Sequence, residues 1–503
     1  MTSEVGGPVT PPLSWREQLR SGPFLILVAV LLMLLVVGTR DFVKGDTWFN
    51  LVAGREVAES GIIHSDRTTA LGWGTPVVDV QWLAHLVFFA VADHVGLTGL
   101  VVIGAAWIAG CFVLGGAIAL RTGATPGRVL LASLLAFTAV GSALVLRAQT
   151  LVYPMFVLFP AVLWLDVRAP RARTWWLVPV AVLWANLHGS VLLAPIFGGA
   201  LLAARALDAL RKGQPIEWRL VARDGGLTLA FLASIVVTPY GMDVWPYYAQ
   251  TAGNPLFRQY VSEWWPLWTS PQLTHIALLL IITGVIARSW REAESFPLLV
   301  LVGLSVMQVT SIRHVTPLAL ACLVLLPHLL DQALGRALPM EFPEFTPRLA
   351  TRTLLVSLAG FGIGVPFGAR KVVATPGGDS LEARLAAEPV QHCMLVDEQQ
   401  ADRLMWYFPQ LTGHLTHSVR MEAIPSWFMA RMGPAYAAPS KPASRDLLRR
   451  YPIVAFDGRI NGKVVEALKG DAQFERVGQA GSLHVFRNRR VRAMTTKACR
   501  SPA

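Results

Sequence analysis

The sequence predicts a polytopic α-helical membrane protein of about eleven transmembrane helices, followed by a small α/β domain outside the bilayer. Three observations predict it. Of 503 residues, 53% are hydrophobic and 15% charged, with a mean hydropathy of +0.48, whereas soluble domains carry about 25% charged residues. Apolar runs near the ~20 residues that cross a bilayer recur until roughly residue 370 and then stop. Beyond that point short strand-like and helix-like patterns alternate. The net charge of +12 does not point to nucleic acid, because the arginines are spread over short loops between spans, the ordinary orientation signal for insertion.

Residues 1–22 read as a cytoplasmic tail. Arg16 and Arg20 precede the first span, 23–39, and no small-residue cleavage site follows, so this is a retained helix and not a signal peptide. Residues 40–98 then begin outside. Spans at 99–120 and 129–146 are joined by a turn holding Arg121 and Arg128, and the second ends outside at Arg147-Ala148-Gln149. The span 150–166 descends to Arg168, Arg171 and Arg173. Spans 174–187 and 189–207 form a hairpin with His188 at its outer tip. The loop 208–224, with Arg211, Lys212, Arg219 and Arg223, is again cytoplasmic, and 225–240 rises to Thr238-Pro239-Tyr240-Gly241. Segment 241–271 lies outside, and spans 272–288, 295–311, 315–335 and 352–369 complete a membrane domain of residues 23–369. The stretch 82–95 (WLAHLVFFAVADHV) is apolar but short. Counting it as a span inverts every later loop against the positive-inside rule, so it is expected to lie flat at the outer interface. A true span with a different topology is the alternative.

Residues 370–490 read as the α/β domain. CMLVD (393–397) and PIVAFDG (452–458) suit buried strands, QQADRLMWYF (399–408) and DLLRRY (446–451) suit helices, and 474–488 suits a hairpin. Residues 491–503 read as a disordered basic tail. Cys111 and Cys322 sit in apolar spans. Cys393 and Cys499 could pair in an oxidising compartment, but an unpaired state is the stronger expectation. No CxxC or zinc spacing is present.

Threaded this way, the chemically capable residues collect on the outer face. The first outer loop carries Asp41, Asp46, Asp66 and Asp79, with a juxtamembrane helix expected over Trp48–Glu59. An acid at the rim of a membrane cavity can act as a general base toward a hydroxyl; it can equally cap an interfacial helix or pair with Arg40, Lys44, Arg55 or Arg67. Arg147 and Arg313 stand at outer ends of spans beside Gln149 and His314. Their planar forks suit a phosphate, and snorkelling to headgroups is the plainer alternative. His188, Arg258 and Glu263 complete the set, and an aromatic belt accounts for Trp245, Trp264, Trp265 and Trp268.

GDTWFNLVAGREVAESGIIHSD resembles an opening common in bacterial membrane proteins: an acid, a tryptophan pair, then a Gly-Arg helix and an I-P-x-x-D turn. VVDVQWLAH, Arg147-Ala148-Gln149, Trp184 to Gly189, Thr238 to Gly241 and Arg313-His314 follow in the matching order. In layout the chain is similar to the GT-C superfamily of integral-membrane glycosyltransferases, which includes protein O-mannosyltransferases and lipid A aminoarabinose transferases; the resemblance covers most of residues 20–370. It implies a transferase of the bacterial plasma membrane. The enzyme would move a sugar from a polyprenyl-phosphate donor to an envelope lipid, glycan or protein at the outer face, with inversion. It also implies Asp46 as general base, with Asp41 and Asp66 as reserves. Arg147, Gln149, His188, Arg258, Glu263, Arg313 and His314 would bind donor phosphate and sugar. The family pattern has a second tryptophan where Phe49 stands, His-Glu where Val80-Gln81 stand, proline at Ala148 and glycine at Ser190. A role for Mg²⁺ or Mn²⁺ is left open. The alternative from another class is a non-catalytic lipid-linked glycan carrier, a flippase component or an assembly scaffold.

Overall fold

The computed structural model describes residues 14–141, 144–335, 347–388 and 392–501; the ends of the expected N-terminal and basic tails, 1–13 and 502–503, lie outside the described residues. In chain order the main helices are α1 (Gly22–Gly38), α2 (Gly45–Ser60), α3 (Trp82–Arg121), α4 (Pro126–Val140), α5 (Tyr153–Arg168), α6 (Leu177–Leu187), α7 (Leu193–Arg211) and α8 (Trp218–Ser234). They continue as α9 (Val244–Gly253), α10 (Leu273–Ser289), α11 (Ser295–Thr310), α12 (Val315–Leu334) and α13 (Pro347–Val372). The protein is a polytopic helical membrane protein with a small sheet near its C-terminus.

Every one of the eleven expected spans falls on a helix. Six helical stretches are long and apolar enough to cross a membrane: Gly22–Asp41, Trp82–Arg121, Ala148–Arg168, Gly189–Arg211, Ile312–Leu334 and Arg348–Val372. The other five positions carry α4, α6, α8, α10 and α11, of 11 to 17 residues. At a rise of 1.5 Å per residue these reach only about 17–26 Å, less than the ~30 Å hydrocarbon core. Apolar composition therefore ran further along the sequence than helical geometry does. The buried faces of α1, α3, α5, α7 and α12 form one continuous core, with Trp164, Trp184, Phe156 and Phe159 at its centre.

The short apolar stretch 82–95 is the first limb of α3. Gly96 separates it from the second limb with φ 75°, a left-handed conformation that glycine alone adopts without strain. This limb packs on α2 at Gly54, where an added Cβ would lie 2.1 Å from the His85 carbonyl oxygen.

The tail carries β1 (Leu395–Val396), α14 (Glu398–Tyr407), α15 (Ser426–Ala437), α16 (Pro442–Arg449), β2 (Ile453–Asp457), α17 (Gly462–Lys469), β3 (Phe474–Ala480) and β4 (Leu483–Asn488). The sheet order is β1-β2-β4-β3, with β1 parallel to β2 and the remaining pairs antiparallel. Gly481, at φ 57°, makes the two-residue hairpin turn that this pairing requires. Val52 of α2 joins the sheet's core with Leu404, Met405 and Val485, and Arg55 donates to the backbone oxygens of Met405 and Trp406 at 2.7 and 3.1 Å. The domain is thus seated on the first loop.

Two expectations about the tail are corrected. Cys393 and Cys499 form a disulfide. The last residues are therefore held and not loose: Thr496–Cys499 is helical, and Arg500 Nε donates to the Ala70 oxygen at 3.0 Å. A separation of 106 residues carries no local signal, so sequence spacing could not find the pair.

Candidate active site

The loop before α2 and the loop before α5 are laced together. Leu146 N–H donates to the Phe42 oxygen at 2.8 Å, and the Thr47 hydroxyl donates to the Leu146 oxygen at 2.6 Å. This fixes Asp46, in the first turn of α2, opposite Arg147, which precedes the short helix Ala148–Leu151. A first-turn carboxylate is favoured by the helix dipole. A second lacing holds the other side. Ser311 Oγ donates to the Glu263 oxygen at 3.0 Å, and Ile312 N–H donates to the Trp265 oxygen at 3.0 Å. Glu263 and Arg313 are positioned by this pair of loops.

Arg147 Nη1 meets both acids, Glu263 Oε1 at 2.5 Å and Asp46 Oδ2 at 3.3 Å. The Arg313 guanidinium lies over the Trp264 ring, 4.4 Å from its centroid. These groups face a cavity of about 540 Å³ whose wall includes Lys44, Asp46, Arg147, Glu263, Arg313 and Glu398. Asp46 is 35% and Glu263 46% exposed, and both line this cavity. Burial raises the Asp46 carboxyl above its ordinary value against the opposing pull of Arg147. The Arg147 charge holds Glu263 below its own ordinary value. Two carboxylates on one arginine are thereby pushed apart in proton affinity, the pattern that separates a base from a permanent anion.

Beyond Trp264 and Arg313, which line both spaces, lies a second cavity of about 280 Å³ walled by Gln149, His188, Tyr247, Tyr248 and His314. His188 Nδ1 accepts the Ser190 N–H at 3.0 Å, which leaves the ring proton on Nε2. Burial, helped by the Arg313 and Arg147 charges, keeps this imidazole neutral, well below its ordinary value. His314 Nδ1 is 3.0 Å from the Met307 oxygen and acts there as a donor.

The expected residues therefore divide. Asp46, Arg147, Glu263 and Arg313 meet in the first cavity, and Gln149, His188 and His314 share the second with Arg313. Asp41 is exposed and 3.8 Å from Lys44. Asp66 is buried in its own loop, accepting the Thr68 and Thr69 hydroxyls at 2.6 Å each. Arg258 is exposed and lines neither cavity. Among the described residues no group of three or more His, Cys, Asp or Glu is placed to hold a metal ion.

Sequence reasoning missed which residues the tail contributes. Glu398 and Gln399 of α14, with Val419 and Met421, wall the first cavity. Arg420 reaches from the tail into the first loop, 3.2 Å from Asp66, 3.9 Å from Glu56 and 4.0 Å from Asp79, which also meets His85 Nδ1 at 2.9 Å. No local pattern marks Arg420. Glu398 did carry a signal, an acid in the first turn of a helix that follows a buried strand, where open α/β sheets place ligand sites.

A solved structure with this architecture is apo ArnT from Cupriavidus metallidurans. It aligns with a TM-score of 0.52 over 95% of this chain and 98% of that chain, at 14% identity. A second structure of ArnT from the same organism, bound to undecaprenyl phosphate, aligns at 0.48 over 92% and 97%, at 15% identity. No family model and no curated protein matches the sequence. ArnT is an aminoarabinose transferase of GT-C fold, and this chain shares that fold.

Proposed function

We propose that this protein transfers a sugar from a polyprenyl-phosphate donor to a hydroxyl of an envelope lipid, glycan or protein, at the outer face of a bacterial plasma membrane. The observation that carries the reading is the pairing of Asp46 and Glu263 on Arg147, beside Arg313, in a cavity walled in part by the tail domain. The shared GT-C fold supports it.

In this reading Asp46 takes the proton of the acceptor hydroxyl. The hydroxyl oxygen bonds to the anomeric carbon as the bond from that carbon to the phosphate oxygen breaks. The electron pair departs on the phosphate, and the configuration inverts. Arg313 and Arg147 stabilise the developing phosphate charge, a contribution that grows in an enclosed site. Glu263 holds Arg147 in place and stays ionised. The second cavity, with neutral His188, Gln149 and two tyrosines, receives donor groups adjoining the phosphate. The N-terminus is cytoplasmic and the tail lies outside, where a disulfide such as Cys393–Cys499 persists. The first limb of α3 lies at the outer interface beside α2.

The test is transfer by purified protein from a panel of radiolabelled polyprenyl-phosphate sugars, with the product anomer read by NMR. Transfer with inversion is expected. Tight binding of the lipids with no transfer from any donor would favour the carrier reading instead.

A further inference from the structure

The tail domain meets the cavity through the first turn of α14. Gln399 Oε1 accepts the Gly45 N–H at 2.9 Å, so this turn is bonded directly to the residue before Asp46. A Cβ on Gly45 would stand 2.6 Å from that same oxygen, so a larger residue there would displace the Gln399 side chain. Glu398, one position earlier, also lines the cavity.

Glu398 is not needed to cap its helix. Asp397 does that, accepting the Gln400 N–H at 3.0 Å while also accepting the Asp457 N–H. The Glu398 carboxylate is instead held from behind. Tyr436 OH donates to Oε2 at 2.9 Å, and His417 Nε2 is 3.7 Å from the same oxygen. His417 is steadied in turn by Thr416, whose hydroxyl is 2.9 Å from Nδ1, and by the edge of Phe428. Both contacts fall on one oxygen, the side chain is 26% exposed, and the residue lines the cavity. An ionised carboxylate accepts hydrogen bonds and donates none. The cavity wall carries Asp46, Glu263 and Glu398 beside Lys44, Arg147 and Arg313; with Arg147 and Arg313 given to the donor phosphate, Glu398 is left to accept from the hydroxyls of a neutral ligand.

We propose that Glu398, braced by Tyr436 and His417, is an acceptor-binding residue that receives hydroxyl groups of a neutral carbohydrate acceptor, so that the tail domain selects the acceptor. The proposal deepens the transferase reading and rests on it for the word acceptor. Glu398 orients the acceptor and takes no part in the proton transfer assigned to Asp46.

The test is binding by the full chain in nanodiscs, titrated calorimetrically with octyl β-glucoside, octyl α-mannoside and octyl β-galactoside, and separately with polyprenyl phosphate. Glu398→Gln keeps the shape and the Tyr436 contact but loses the charge. It should weaken the best octyl glycoside about tenfold, as loss of a hydrogen bond to a charged group does, and leave polyprenyl phosphate within about twofold. Tyr436→Phe, which keeps the ring and frees the carboxylate, should weaken the same glycoside about threefold. Glu475→Gln, exposed on β3 of the same domain, should change neither. Unchanged glycoside binding in Glu398→Gln, equal losses for both ligand types, or no glycoside binding by the wild type would each overturn the proposal. These titrations need no turnover. Failure of the transfer assay alongside Glu398-dependent glycoside binding would therefore sink the transferase reading and leave this subsite standing.

Discussion

Arg147→Gln removes the group on which the cavity's acids converge, and its consequences can be worked from the geometry. Two contacts go, at 2.5 Å to Glu263 and 3.3 Å to Asp46. Breaking a fully buried pair costs about 3–5 kcal/mol. Here the partners are 35% and 46% exposed, and screening lowers the expected stability loss to about 1–2 kcal/mol. The functional loss is larger. In the proposed reading Arg147 contacts the donor phosphate, and a charge-assisted contact of that kind is worth about 1.5–3 kcal/mol, or roughly 10- to 100-fold in kcat/KM for the donor. The pH profile gives a sharper signature. Arg147 is the chief cause that holds the Glu263 carboxyl low and the chief opponent of the burial that raises Asp46. Without it both acids bind protons more tightly. A base must be ionised to act, so activity that rises with pH will begin its rise at higher pH than in the wild type. Arg147→Lys, which keeps the charge without the fork, should return the rise toward its wild-type position while recovering only part of the donor affinity. The assay is initial-rate transfer from the best donor across pH 4 to 9. An unmoved acid limb together with an unmoved donor KM would refute the reasoning.

Other perturbations separate scaffold from site. Asp166 binds Arg205 and Arg223 at 2.7–2.9 Å with Asp224 on the same arginines, so Asp166→Asn should cost about 3 kcal/mol, read as a lower melting temperature in detergent with donor KM unchanged. Gly54→Ala places a Cβ 2.1 Å from the His85 carbonyl oxygen, and forcing α2 from the first limb of α3 should cost about 3 kcal/mol; a neutral result in denaturation would show that the two helices do not pack so closely. Burial pushes the Asp402 carboxyl from its ordinary 3.8 up to about 8. Between those values the folded chain holds a proton that the unfolded chain has released, so unfolding free energy falls as pH rises through that window. Asp402→Asn removes this slope, and its gain in melting temperature over wild type should grow from pH 5 to pH 8; a gain that is flat with pH would contradict the assignment.

Much of this architecture could be read before any coordinates. All eleven apolar runs became helices because twenty-residue hydropathy and interrupting arginines are local signals. The α/β pattern of the tail was equally local: residues 453–456 of β2 are all apolar, and Gly481 marks the β3–β4 hairpin. The geometry brought Asp46, Arg147, Glu263 and Arg313 to one cavity, although they are dispersed along the chain, because each stands at the end of an apolar run or in a loop between two. Asp41 and Asp66 looked like equals of Asp46 in sequence. Only the lacing of Thr47 to Leu146 distinguishes Asp46, and a bond across 99 residues leaves no trace in spacing. The Gly54-Arg55 pair of the resemblance proved to be architectural, one residue admitting the α3 backbone and the other gripping α14. Arg420, the Cys393–Cys499 bond and the placement of Glu398 on the cavity wall all depend on how the tail docks, which no window of sequence encodes.

The central claim is that Asp46 is the base of a sugar transfer from a lipid-linked donor. Single-turnover transfer by wild type and Asp46→Asn, each with its affinity for polyprenyl phosphate measured in parallel, tests it most directly. The Arg147–Glu263 contact survives in the variant, so donor affinity should stay within about twofold while the transfer rate falls about 10²- to 10⁴-fold, the loss of a general base. A variant that transfers within about tenfold of wild type would contradict the account and remove the base from Asp46.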